Sequence, residues 1–71
     1  MSDAEVERIL QKHEVSLLAI DGVEGIGIQT DAMGNPVIMV YLRDTGVASR
    51  IPTQVDGVAI KTTISGKFEA Q

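Results

Sequence analysis

GVEGIGIQTDAMGNPVIMVYLR, residues Gly22–Arg43, decides the fold, because it reads as two strands joined by a turn. In the first arm, about Val23 to Thr30, Ile26, Ile28 and Thr30 share one face with Glu24, and Val23, Gly25, Gly27 and Gln29 share the other. Gly25 and Gly27 leave their face bare. Glycines inside a strand mark a bulge or the close approach of another backbone, here the first helix or a partner chain. DAMGN supplies the turn, with Gly34 and Asn35 both tolerant of positive φ. Pro36 opens the second arm, where its missing N–H does least harm. From Val37 to Leu42 both faces are apolar: Val37, Met39 and Tyr41 on one, Ile38, Val40 and Leu42 on the other. Such a run marks a strand covered on both sides. A 71-residue chain with one long helix has little material for a second cover. That mismatch points to a sheet face left open for something else.

Upstream of the hairpin, Ser2 and Glu5 have the spacing of a capping box. Val6, Ile9, Leu10, His13, Leu17 and Ile20 recur at helical spacing and form one apolar stripe. Asp3, Glu5 and Glu7 crowd the first turns, where the helix dipole favours acids. A helix from about Asp3 to Ala19 is predicted, stopped by Asp21-Gly22. Its polar face, Glu5, Arg8, Lys12 and Ser16, reads as solvated surface.

Downstream, Asp44 or Thr45 caps a short helix through Val47, Ala48 and Arg50, closed before Pro52 because a residue preceding proline avoids the α region. Thr53 to Gly57 reads as a connector with an Asp56-Gly57 turn. Val58, Ile60, Thr62 and Ile64 alternate with Ala59, Lys61 and Thr63, the pattern of a half-exposed third strand ended by Ser65-Gly66. Phe68 is expected to fold back onto the core, and Glu69 to Gln71 to fray.

The order is helix, strand, strand, short helix, strand, in one small α+β domain spanning residues 1–71. The hairpin makes the first pair antiparallel, and the crossover makes the third strand parallel to the second. A three-stranded sheet with helices on one face follows: a truncated ferredoxin-like arrangement, or split βαβ unit lacking its first strand. Either that gap closes or something fills it, and the doubly apolar second strand is central in both cases.

GVEGIGI, then GNPVIMVYL, then IPTQVDGVAIKTTISGKFEA resembles a short module of uncharacterised bacterial proteins, sometimes found ahead of trypsin-like peptidase domains. The shared positions are chiefly Gly22, Val23, Gly25, Gly27, Pro36, Val37 and Ile38, with Pro52, Asp56, Gly57, Val58, Ala59 and Gly66. They cover about two thirds of the chain and are glycines and aliphatics that record fold rather than chemistry. The element order is also similar to half of an α-lytic-type protease propeptide. The latter likeness implies a folding or inhibitory partner bound by sheet extension; neither implies a catalytic residue.

Composition narrows the function further. Ten acidic against six basic residues give a net charge of −4, with the bases scattered, which opposes phosphate backbones and anionic membrane surfaces. The absence of cysteine excludes disulfides and thiolate metal sites, and the single His13 leaves no histidine cluster. No cofactor and no metal are expected. An acidic N-terminus and the lack of a long apolar run predict a cytoplasmic chain. GVEGIG reverses the dinucleotide fingerprint and enters a strand instead of a helix. His13 reads as a boundary residue of the stripe. Ser49, Thr62, Thr63 and Ser65 have no basic partner that spacing can supply, and Asp21, Glu24 and Asp31 lack calcium-loop spacing. Met33 and Met39 read as ordinary loop and sheet residues. The expectation is therefore a non-enzymatic protein-interaction or homo-oligomerisation module, with Gly25, Gly27, Val37, Met39 and Tyr41 as its interaction surface. The alternative is a small-molecule binder or small enzyme with a pocket between helix and sheet.

Overall fold

A computed structural model of the chain describes residues 2–65; the expectations for Gly66, Phe68 and residues 69–71 lie outside them. Helix α1, Asp3–Leu18, starts at a complete capping box. Ser2 Oγ accepts the Glu5 N–H at 3.2 Å, and Glu5 Oε1 accepts the Ser2 N–H at 3.0 Å. The Ser2 N–H, bonded to the charged form, holds the Glu5 carboxyl below the usual carboxylate range. Val6 and Leu17 of the apolar stripe are buried, and Ile9, Leu10 and Ile20 pack beside the core.

Strands β1, Val23–Thr30, and β2, Pro36–Leu42, form the expected antiparallel hairpin, with Ile28 opposite Ile38 and Gly27 opposite Met39. The register slips between Val23 and Gly25, so a bulge sits beside the first of the two strand glycines. Asp31 organises the turn: its Oδ1 accepts the N–H groups of Met33 and Asn35, each at 2.9 Å. Of the two residues tolerant of a positive φ only Gly34 takes one (85°), and the Asp31 side chain closes the turn.

The short helix after β2 is a single 3-10 segment, Thr45–Arg50, capped by Asp44 Oδ1 on the Gly46 N–H at 2.9 Å. Six residues ending in an extended Ile51 before Pro52 leave no room for a longer α-helix. The connector expected over Thr53–Gly57 contains a two-residue strand, β3, Gln54–Val55. Asp56 (φ 49°) and Gly57 (φ 84°) both sit in the left-handed region and form a two-residue hairpin turn into β4, Val58–Ile64. The sheet therefore has four strands rather than three, in the order β1-β2-β4-β3.

The parallel pairing of β2 with β4, Ile38 beside Ile60 and Leu42 beside Ile64, closes the gap left by the missing strand and makes β2 central. Ile38, Val40 and Leu42 are buried in one cluster with Val6 of α1, Val47 of the 3-10 segment, and Ile51, Val58 and Ile60. Both helical segments thus cover the same face of the sheet. No helix among the described residues is long and apolar enough to cross a membrane.

Candidate functional site: the uncovered sheet face and the β1 edge

The register brings Gly25, Gly27 and Gln29 of β1 onto one face with Tyr41, Met39 and Val37 of β2, and Met39 and Tyr41 onto that face with Lys61 and Thr63 of β4. Neither helical segment packs there. The residues expected to form an interaction surface are therefore together, although they do not contribute equally. Val37 is only 4% exposed and lies among its sheet neighbours, whereas Met39 and Tyr41 are half-buried. The Tyr41 ring covers Gly25, with Cδ2 3.7 Å from where a Cβ would stand. Its hydroxyl accepts a hydrogen bond from Gln29 Nε2 at 3.1 Å. Gly27 has nothing within 4 Å of a Cβ position. A bare patch of backbone thus sits on the open face, with Met39 across from it.

The outer edge of β1 adds a second feature. Hydrogen-bonded and non-hydrogen-bonded pairs alternate along an antiparallel ladder. The Asp31 N–H bonds the Asn35 carbonyl at 2.9 Å, which fixes Gln29–Val37 and Gly27–Met39 as hydrogen-bonded pairs. The N–H and C=O groups of Ile26, Ile28 and Thr30 therefore point away from β2, toward an edge where no described strand pairs. Proteins blunt such edges with lysines, prolines, bulges or covers. Here the bulge lies near Gly25, and Ile26–Thr30 carries neither charge nor proline.

Other groups singled out by the sequence have local partners. His13 is half-buried and its Nε2 lies 3.1 Å from Asp56 Oδ2, with Lys12 Nζ 3.6 Å from the same oxygen. The His13 hydrogen bond, then the Lys12 charge, hold the Asp56 carboxyl below the usual range. This contact ties α1 to the β3–β4 turn. Sequence spacing could not have found it, since His13 and Asp56 lie 43 positions apart. Asp21 pairs with Arg43 at 3.5 Å, Glu24 accepts the Ser65 hydroxyl, and Asp31 is engaged in its own turn, so the three loop acids are apart. A depression of about 260 Å³ lies between the hairpin loop and the β3–β4 turn, lined by Asp31, Asn35, Pro36, Val37 and Gly57–Ala59, rather than between helix and sheet. Comparison with protein-family models, with curated proteins and with solved structures returned no match.

Proposed function

We propose that this chain is a non-enzymatic interaction module that recruits a protein strand through the β1 edge and the adjoining open face. The observation that carries this reading is the uncharged Ile26–Thr30 edge, whose outward backbone groups lie beside the bare backbone of Gly27. Main-chain hydrogen bonding to such an edge supplies affinity, and side-chain pockets on alternate positions supply specificity.

The test compares the native chain with Met39→Lys, both checked for folding by far-UV circular dichroism. Met39 lies on the open face and outside the buried cluster, so the substitution leaves the core intact. Light scattering reads self-association, and affinity capture from a lysate reads a foreign partner. A dimer or a stoichiometric partner that Met39→Lys loses supports the proposal. A monomer that captures nothing, or an association indifferent to Met39→Lys and Gly27→Val alike, overturns it.

A further inference from the structure

The charges around the β1 edge say what its occupant is. Lys12 and His13 reach Asp56 on the β4 side of the sheet. At about 100° per residue, Asp3, Glu7 and Glu14 fall on the opposite flank of α1, the one on the β1 side. All three are exposed, and no ion pair among the described residues involves any of them. That flank carries no base: its other residues are Leu10, Gln11 and Leu18, the last 43% exposed. Glu24 and Asp31 stand at the two ends of the strand. The remaining described bases are elsewhere: Arg8 on the outer side of α1, where its charge acts on Glu5, Arg50 at the end of the 3-10 segment, Arg43 with Asp21 and Asp44, and Lys61 on the open face of β4.

Resting on the interaction-module reading, we propose that the β1 edge takes an extended cationic segment of another polypeptide as an antiparallel fifth strand, with a bulky side chain seated over Gly27. Side chains of an added strand alternate between the two sheet faces. Those opposite Ile26 and Ile28 point to the α1 side, toward Glu7 and Glu14. These acids are spaced by about 10 Å along the helix, which lysines at alternate strand positions, about 7 Å apart, can span. The residue between them points to the open face beside Gly27, where the missing side chain leaves room for an aromatic ring against Met39. The recognised pattern is base, bulky, base. A second copy of this chain fits poorly. Antiparallel self-pairing centred on Gly27 or Ile28 sets Glu24 of one copy beside the Thr30–Ala32 stretch of the other, which includes Asp31, and brings two acidic helix flanks together.

The chain has no tryptophan, so a tryptophan-bearing peptide reports its own binding. The probe is acetyl-Ser-Lys-Val-Lys-Trp-Lys-Val-Lys-Ser-amide, followed by tryptophan anisotropy at low and moderate salt. Saturable binding tighter than about 1 mM is expected, weakened about tenfold or more by Gly27→Val. The double variant Glu7→Lys with Glu14→Lys, on exposed helix surface, is expected to weaken it similarly and flatten its salt dependence. The same peptide N-methylated at the backbone amides of its lysines keeps its charge and loses the N–H groups that face β1; it is expected not to bind. Equal binding of the N-methylated peptide, or no effect of Gly27→Val, overturns strand addition. Absence of peptide binding alongside a dimer that Gly27→Val abolishes overturns the cationic occupant in favour of a second copy and leaves the interaction module standing. Absence of peptide binding in a monomer that still captures a partner through Met39 overturns the cationic occupant alone, and absence of peptide binding, dimer and captured partner removes both readings.

Discussion

Gly22 shows how one atom fixes a packing arrangement. Its φ is +99°, and an added Cβ would overlap Val47 Cγ2, a side chain buried under the sheet. Gly22→Ala is expected to destabilise the fold by about 2–4 kcal/mol, from the left-handed backbone and the forced repacking together, read from the urea midpoint. With Val47→Ala already present, the same substitution is expected to cost less, because the overlapping methyl is gone. The sequence identified Gly22 as a helix stop but not as this contact, since Val47 lies 25 positions on. Asp56 repeats the lesson. Its turn was legible as Asp56-Gly57, whereas its partner His13 was legible only as a boundary residue on the helix. The depressed Asp56 carboxyl contributes stability that is fully present above its unfolded value, about pH 4, and is lost as pH falls through its lower folded value. Asp56→Asn is therefore expected to be less stable than the native chain at neutral pH, with the difference shrinking once the medium is more acidic than that. Denaturant titrations of both proteins across this range check it.

At the scale of elements, the hairpin was readable because alternation, turn residues and Pro36 all agreed. Its closure depends on Asp31, which accepts two backbone N–H groups at 2.9 Å. Asp31→Ala is expected to cost about 1–2 kcal/mol, with early exchange of the loop amides, since two donors lose their acceptor. Asp31→Asn keeps an acceptor and is expected to recover most of that loss. Strand β3 was not readable. Two residues, Gln54 and Val55, are too short to show a period, and they pair only because the left-handed Asp56-Gly57 turn folds them back on β4. The 3-10 segment was foreseen as a helix, but six residues could not reveal its tighter winding. Of the residues expected to form an interaction surface, Gly25, Gly27, Met39 and Tyr41 were placed on their common sheet face by strand phase alone. The burial of Val37 was not, because it depends on neighbours from other parts of the sheet.

For the whole molecule, the chain has one long helix for a sheet whose central strand is apolar on both sides. It resolves the shortage by covering the centre of one face, where Ile38, Val40 and Leu42 are buried, and leaving the other to glycines, Tyr41 and Met39. The exposed edge lies at the same margin of the sheet as those glycines, and the flank of α1 that carries Asp3, Glu7 and Glu14 is the one opposite the Lys12–His13 contact with Asp56. Their coincidence is what makes a strand-accepting module the account with the most support. Residue-resolved amide hydrogen exchange tests it most directly, because opening is local and each amide reports its own partner. In the free protein the amides of Ile26, Ile28 and Thr30 should exchange rapidly while those of Gly27 and Gln29 are protected. Saturating lysine–tryptophan peptide should protect Ile26, Ile28 and Thr30 selectively. Protection of these three amides in the free monomer, or their unchanged rapid exchange in a protein saturated with peptide, would contradict a free β1 edge that docks a strand.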